Sequence, residues 1–301
     1  MNYWLWKIAY YVLIIPVFIT LPLLTLLPES SRKDVLTASA PILKPLTINM
    51  LFPGLLKGPS VFIESNVDKK DSDRLLLFFA GNNNTSAEAL TILQHIPFSD
   101  QTVADTTVMP SVSIPLIYQP NQVRYIEALR LKIESYIQEY PNLKTLYIAG
   151  HSLGAAISIQ ILVELIPRYP HLEFLFTADR SFQRLWDVAE FRYGKTLAQL
   201  MKKTFGLIWE FDSIKALEIL KQYPQLTCFF YQVSYDEVLG DDALLINPFL
   251  EQPSSFPKTW KLEYTIYDND GPIHALAYQD LIKRTDIKKS VTLVQGVIKK
   301  P

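Results

Sequence analysis

One serine in this chain stands where a hydroxyl can be made into a nucleophile. Residues 150–154 read Gly-His-Ser-Leu-Gly. They directly follow a short apolar run at 143–149 (LKTLYIA) and directly precede 155–168 (AAISIQILVELIPR), whose apolar residues recur at helical spacing. The expected order is strand, sharp turn, helix. A corner that tight pushes the Ser152 hydroxyl out of the backbone, and Gly150 and Gly154 remove the side chains that would collide there. The bare five-residue pattern is a weak signal, since a glycine-rich helix start also fits it. Its setting between a strand and a helix is what gives it weight.

Such a serine needs a base to take its proton, and neutral imidazole does this near pH 7. A carboxylate behind the imidazole fixes its tautomer and stabilises the imidazolium. The chain has only four histidines. His151 lies in the turn itself, with its side chain directed away from that of Ser152; His171 begins a strand and His95 ends a helix. His274 sits in a loop after a strand. For the carboxylate, Asp179, Asp236, Asp268 and Asp270 each follow a strand end. Ligands and catalytic groups collect outside the C-terminal ends of parallel strands, so all four are candidates. Asp179 stands next to Arg180, and an ion pair fixing the loop is the preferred reading there.

The elements that must position these groups are legible along much of the chain. Residues 60–67 alternate and predict an early edge strand. Residues 75–80 (LLLFFA) are continuously apolar, as a central parallel strand is, and 87–93 read as helix. Residues 103–109 hold a short strand at most, because Pro110, Pro115 and Pro120 oppose any long element. Residues 122–140 form an amphipathic helix with Val123, Ile126, Leu129, Ile133, Tyr136 and Ile137 on one face. Strands are expected at 172–177 and 227–233, with 260–267 as the last one and helix resuming at 275–283. Residues 183–222 are helical and rich in aromatics.

The elbow resembles that of the α/β-hydrolase superfamily, whose nucleophile sits in G-x-S-x-G between a strand and a helix. Three further stretches extend the resemblance. Residues 78–84 (FFAGNNN) are similar to the family's apolar-strand-H-G-N-x-x-N pattern, with Ala80 where histidine is common. By that match, the backbone N–H groups of Asn82 and Leu153 form the oxyanion hole. Residues 232–239 are similar to the family's G-x-x-D-x-x-V loop and make Asp236 the acid, with Gln232 or Val233 where glycine is usual. Residues 209–219 resemble the W-D-S/T-x-x-x-I segment that follows the cap in several membrane-associated relatives. The family's catalytic histidine lies in the loop that here carries His274. The resemblance thus implies the chain order Ser152, Asp236, His274 as nucleophile, acid and base, and a small helical cap at about 183–222. It leaves Asp179 as an alternative acid.

Bulk properties bound the rest. The 301 residues carry a net charge of −1 with no basic block, which gives a nucleic-acid partner no electrostatic support. No metal-ligand spacing and no phosphate-cradling glycine motif is present, so neither metal nor cofactor is expected. Cys228, the single cysteine, falls in an expected buried strand and reads as inert filler. Residues 8–28 are uncharged and almost wholly apolar, and about 20 residues span a bilayer core. Tyr3, Trp4, Trp6, Tyr10 and Tyr11 cluster at one end as an interfacial belt does. A transmembrane anchor is the expectation. A cleaved signal peptide and a segment lying on the membrane surface or over the hydrolase pocket are its rivals. The expected organisation is a membrane anchor at 1–30, a linker at 31–44 and an α/β-hydrolase domain at 45–301. That domain has a mostly parallel central sheet flanked by helices. The activity implied is cleavage of an ester or thioester in a small-molecule or lipid-like acyl substrate, or in an acylated protein. A catalytically silent binding protein, or a peptidase or amidase of the same fold, stands as the alternative.

Overall fold

The computed structural model describes residues 63–66, 68–81, 109–114, 121–205, 209–234, 236–267, 273–274, 276, 280–281, 287–294 and 297–299. Residues 1–62, with the expected anchor and linker, lie outside them, as does the helix expected at 87–93. Among the described residues no helix is long and apolar enough to cross a membrane.

Nine strands form one sheet. They are β1 (Ile63–Ser65), β2 (Arg74–Phe79), β3 (Ser111–Ile114), β4 (Thr145–His151), β5 (Glu173–Asp179), β6 (Leu226–Val233), β7 (Trp260–Tyr267), β8 (Ile287–Val294) and β9 (Val297–Lys299). Their order across the sheet is β1-β3-β2-β4-β5-β6-β7-β8-β9. The run from β3 through β2, β4, β5 and β6 to β7 is parallel throughout. β1 is antiparallel at one edge, and β8 and β9 are antiparallel at the other. With helices between its parallel strands, this is an α/β fold on a mostly parallel sheet, the fold class that the sequence predicts.

The central strands are apolar on both faces because both faces are covered. In β2, Leu75, Leu77 and Phe79 enter one core while Leu76 and Phe78 enter the other, at the period of two that a strand imposes. The first core lies under α1 (Gln122–Glu139), α2 (Leu153–Leu165) and α5 (Ser213–Leu220). α1 begins where the Asn121 side chain accepts from the Arg124 N–H, an N-cap. Its buried face is Tyr125, Ile126, Leu129, Ile133, Tyr136 and Ile137. Val123, expected on that face, is 77% exposed; it sits in the first turn of the helix. α2 is buried along almost its full length and ends in a 3-10 turn at Ile166–Arg168, since Pro167 cannot continue the α-helical ladder.

Between β5 and β6 run α3 (Leu185–Tyr193), α4 (Lys195–Phe205) and then α5. α3 and α4 close a small core of their own from Trp186, Ala189, Ala198 and Met201. α5 instead packs its Ala216, Leu217 and Leu220 into the main core. Asp212 caps α5, accepting from the Lys215 N–H, and Trp209 lies 5.8 Å from the Tyr125 ring. A short helix, α6 (Asn247–Glu251), follows β6.

The short strand expected at 103–109 lies outside the described residues apart from Met109; the described strand is Ser111–Ile114, which follows Pro110. Two expectations shift. β7 is not the last strand, because β8 and β9 extend the sheet beyond it. β4 and β5 each run two residues further than expected, through His151 and Asp179, so strand pairing reaches the rim where the site lies. Residue 276 and residues 280–281 are all that the structure describes of the helix expected at 275–283.

Candidate active site

Ser152 links β4 directly to α2. Its backbone has φ 52° and ψ −120°, a region that non-glycine residues seldom occupy. Strain of this kind persists only where the surroundings over-determine it, and it concentrates at functional sites. Here the surroundings are the two glycines and the neighbouring strands. A Cβ on Gly150 would stand 2.5 Å from Ala155 Cα, and one on Gly154 would stand 2.2 Å from the Phe79 carbonyl oxygen and 2.5 Å from that of Ala80. The elbow helix therefore touches the backbone of the β2 end, and only glycine permits that approach. Gly154→Ala is expected to unfold the domain or to lower its stability by about 3 kcal/mol or more, since its clash is with main chain that cannot rotate away. The urea midpoint reads the effect. Further ties complete the corner: the Ser152 N–H donates to the Asp179 carbonyl at 2.9 Å, and Ser181 Oγ donates to the Ser152 carbonyl at 3.1 Å.

Asp236 follows β6, and His274 lies past the end of β7. The chain brings them together: His274 Nδ1 is 2.7 Å from Asp236 Oδ2. The other carboxylate oxygen accepts from the backbone N–H groups of Val238 at 3.0 Å and Leu239 at 2.9 Å. Burial pushes the Asp236 carboxyl upward, yet the His274 hydrogen bond and charge, with the two backbone donors, outweigh it and hold the group below the usual carboxylate range. Asp236 is thus an anion at neutral pH, and His274 Nδ1 donates to it.

Ser152 and His274 are both buried, with 6% and 7% of their surfaces exposed. The His274 ring lies 4.8 Å from the ring of His151, the residue before Ser152. No hydrogen bond joins Ser152 Oγ to His274 among the described residues. Leu153 is the first residue of α2, so its N–H has no partner one turn earlier and is free to face a ligand. Gly81 stands at the end of β2, where an added Cβ would come within 3.5 Å of Ser152 Cβ. The chain that leaves β2 therefore passes Ser152. Asn82 itself, the other expected oxyanion donor, lies outside the described residues, as do Asp268, Asp270 and His95. His171 is exposed before β5 and lies against Tyr169. Cys228 is fully buried in β6, and burial pushes its thiol well up.

A second histidine–aspartate pair adjoins the first. His151 Nδ1 is 2.8 Å from Asp179 Oδ2. Asp179 also accepts from Arg180, through Nε at 2.8 Å and Nη2 at 2.6 Å, and both residues are completely buried. Burial works against the Asp179 charge, but the Arg180 guanidinium and the His151 bond prevail and hold its carboxyl well below its ordinary value. Burial dominates at His151 and pushes its imidazole down to about 4, against the rise that Asp179 causes. His151 is therefore neutral and spent on Asp179, which leaves His274 as the imidazole available to a hydroxyl. Asp179, the alternative acid, is occupied by His151 and Arg180 rather than by His274. The sequence carries Asp179–Arg180 as adjacent opposite charges, but nothing in it signals that His151 completes the group.

A histidine buried neutral makes stability depend on pH. Its folded-state pKa is depressed, so the unfolded chain binds the proton more readily. The stabilisation is fully present above about pH 6.5, the ordinary histidine value, and is lost as pH falls toward about 4. Between pH 7 and pH 5 the unfolding free energy of the wild type is expected to fall more steeply than that of His151→Asn. Urea titrations of both proteins at the two pH values measure the difference; parallel slopes would show that His151 is not buried neutral.

No protein-family model matches the chain, and no curated protein matches it. Solved structures are similar to it. Est1E from Butyrivibrio proteoclasticus has a TM-score of 0.49 and 10% identity, covering 73% of this chain and 88% of that one. The esterase Pf2001 of Pyrococcus furiosus has a TM-score of 0.45 and 14% identity, covering 75% and 87%. An epoxide hydrolase of Bacillus megaterium has a TM-score of 0.41 and 13% identity, covering 74% and 93%.

Proposed function

We propose that the chain is a serine hydrolase that cleaves carboxylic ester or thioester bonds through an acyl-serine intermediate. The observation that carries this reading is the buried Asp236–His274 hydrogen bond at the sheet rim, beside the strained turn that presents Ser152. Ser152 Oγ attacks the acyl carbon while His274 Nε2 takes its proton, and Asp236 stabilises the imidazolium. The oxyanion of the tetrahedral adduct is met by the Leu153 N–H and, by the family resemblance, by that of Asn82. The adduct collapses as the C–O or C–S bond breaks and His274 returns the proton to the leaving group. Water, deprotonated by the same imidazole, then releases the acid and restores Ser152.

The substrate class is read from the composition of the chain. By the family resemblance the aromatic-rich helices at 185–205 would form the cap, and residues 8–28 have the composition of a membrane anchor. Both favour a lipid-like acyl chain or an acylated protein presented at a bilayer, with the chain tethered there. A panel of esters of graded acyl length, assayed on the wild type and on Ser152→Ala, tests the activity and the chain preference together. Peptide amides in the same assay separate an esterase from a peptidase.

One observation favours a second reading, a silent hydrolase fold that binds rather than cleaves: the missing hydrogen bond between Ser152 and His274. Catalytic hydrogen bonds are often long before substrate binds, so the first reading stands. A folded wild type that no serine-directed probe labels would reverse that choice.

A further inference from the structure

Two side chains outside the proposed triad hold the main chain at His274. Glu237, the neighbour of Asp236, accepts from the Ile273 N–H at 3.0 Å and from the His274 N–H at 3.1 Å and 3.2 Å through both carboxylate oxygens. From the other side, Arg180 Nη1 donates to the Ile273 carbonyl at 2.7 Å. Arg180 has none of its surface exposed and a φ of 45°, so the backbone is bent to aim it inward. Its remaining donors grip Asp179, which in turn fixes His151, whose ring packs on that of His274. The Ile273 side chain is fully buried in the second core. A polar main chain at a buried rim needs partners. The Leu276 N–H also donates to the Ile273 carbonyl, at 3.2 Å, and the side-chain partners come from the two loops that carry candidate acids.

We propose that Arg180 and Glu237 form a two-point clamp that sets the orientation of His274 against Asp236 and Ser152. They are positioning residues: neither touches a reacting atom. Asp236 fixes only the Nδ1 edge of the imidazole, and a ring held at one edge can still swing. Fixing the peptide on both sides removes that freedom. A misplacement of about 1 Å at a general base costs roughly a hundredfold in rate, which is the scale on which such a clamp acts. The guanidinium suits the role because its fork serves Asp179 and the Ile273 carbonyl at once, which a lysine ammonium cannot do. The effect of the clamp on turnover rests on His274 serving Ser152; its effect on the ring does not.

The test reads both. The His274 Nδ1 proton, hydrogen-bonded to Asp236, is expected to give a low-field NMR signal that Asp236→Asn removes. Glu237 is exposed, so Glu237→Ala is expected to stay folded by circular dichroism, with a lowered melting temperature because two buried N–H groups lose their acceptor. In Glu237→Ala and in Arg180→Lys the signal is expected to broaden beyond detection. The rate of labelling by a fluorophosphonate is expected to fall roughly 10–100-fold with little change in ester KM. Glu237→Gln keeps one acceptor oxygen and should recover most of both. If signal and labelling rate in both variants stay within twofold of the wild type, the clamp is refuted. If the signal responds as expected while the wild type shows no labelling, the clamp stands and the serine-hydrolase reading falls.

Discussion

Ser152→Ala is expected to remove ester turnover and fluorophosphonate labelling while the protein stays folded. The loss in kcat should be roughly a millionfold, the scale seen when a triad nucleophile is deleted, or the whole of the measurable rate. Folding should survive for a local reason. The Ser152 side chain makes no hydrogen bond among the described residues, and the corner is held by main-chain ties to Asp179 and Ser181. Alanine keeps the Cβ and the backbone that fill the turn. Its φ of 52° is strained for serine and alanine alike, so the substitution adds no new strain. Circular dichroism and the urea midpoint verify the fold; the ester assay and gel labelling read the loss.

The second large effect is at Asp236. In Asp236→Asn the amide oxygen can still accept from Val238 and Leu239, so the loop keeps its shape. The amide NH2 then faces His274 Nδ1, where the carboxylate oxygen stood at 2.7 Å. A donor there demands an acceptor, so Nδ1 loses its proton and Nε2 carries one. Nε2 can then no longer take the proton of Ser152. The expected fall in kcat is roughly ten-thousandfold, equivalent to about 5 kcal/mol of barrier. The same substitution leaves a stability signature. Asp236 is held below the usual carboxylate range, so the wild type gains stability above the ordinary aspartate value and loses it as pH falls through the folded-state value. The Asn variant lacks that contribution and should show a shallower decline below about pH 4. An activity loss under tenfold would mean that another carboxylate serves His274.

The parts of this molecule that can be read from the chain are those with local causes. β2 and β6 announce themselves as apolar runs, and α1 by its period and its Asn121 cap. The elbow is legible because two glycines and a serine at fixed spacing are required by the backbone approach that Gly150 and Gly154 make. What escapes is non-local. β8 mixes Lys288 and Lys289 with apolar residues, and pairing with β7 decides that it is a strand. β3 has only four residues between prolines and is a strand because β1 and β2 flank it. Val123 has the right spacing for the buried face, yet it is 77% exposed. Asp236 and His274 can be named from a family pattern, whereas Arg180 and Glu237 cannot. A buried arginine bonding a carbonyl 93 positions away leaves no trace in spacing, and Glu237 looks like any exposed acid.

The position of a covalent label tests the central claim most directly. Wild-type protein treated with a fluorophosphonate, digested and mapped by mass spectrometry should carry one phosphonyl group, on Ser152. His274→Ala should acquire it at least a thousandfold more slowly, because the hydroxyl then has no base. A label on any other residue, or equal labelling rates with and without His274, would contradict the proposed partnership of Ser152, His274 and Asp236.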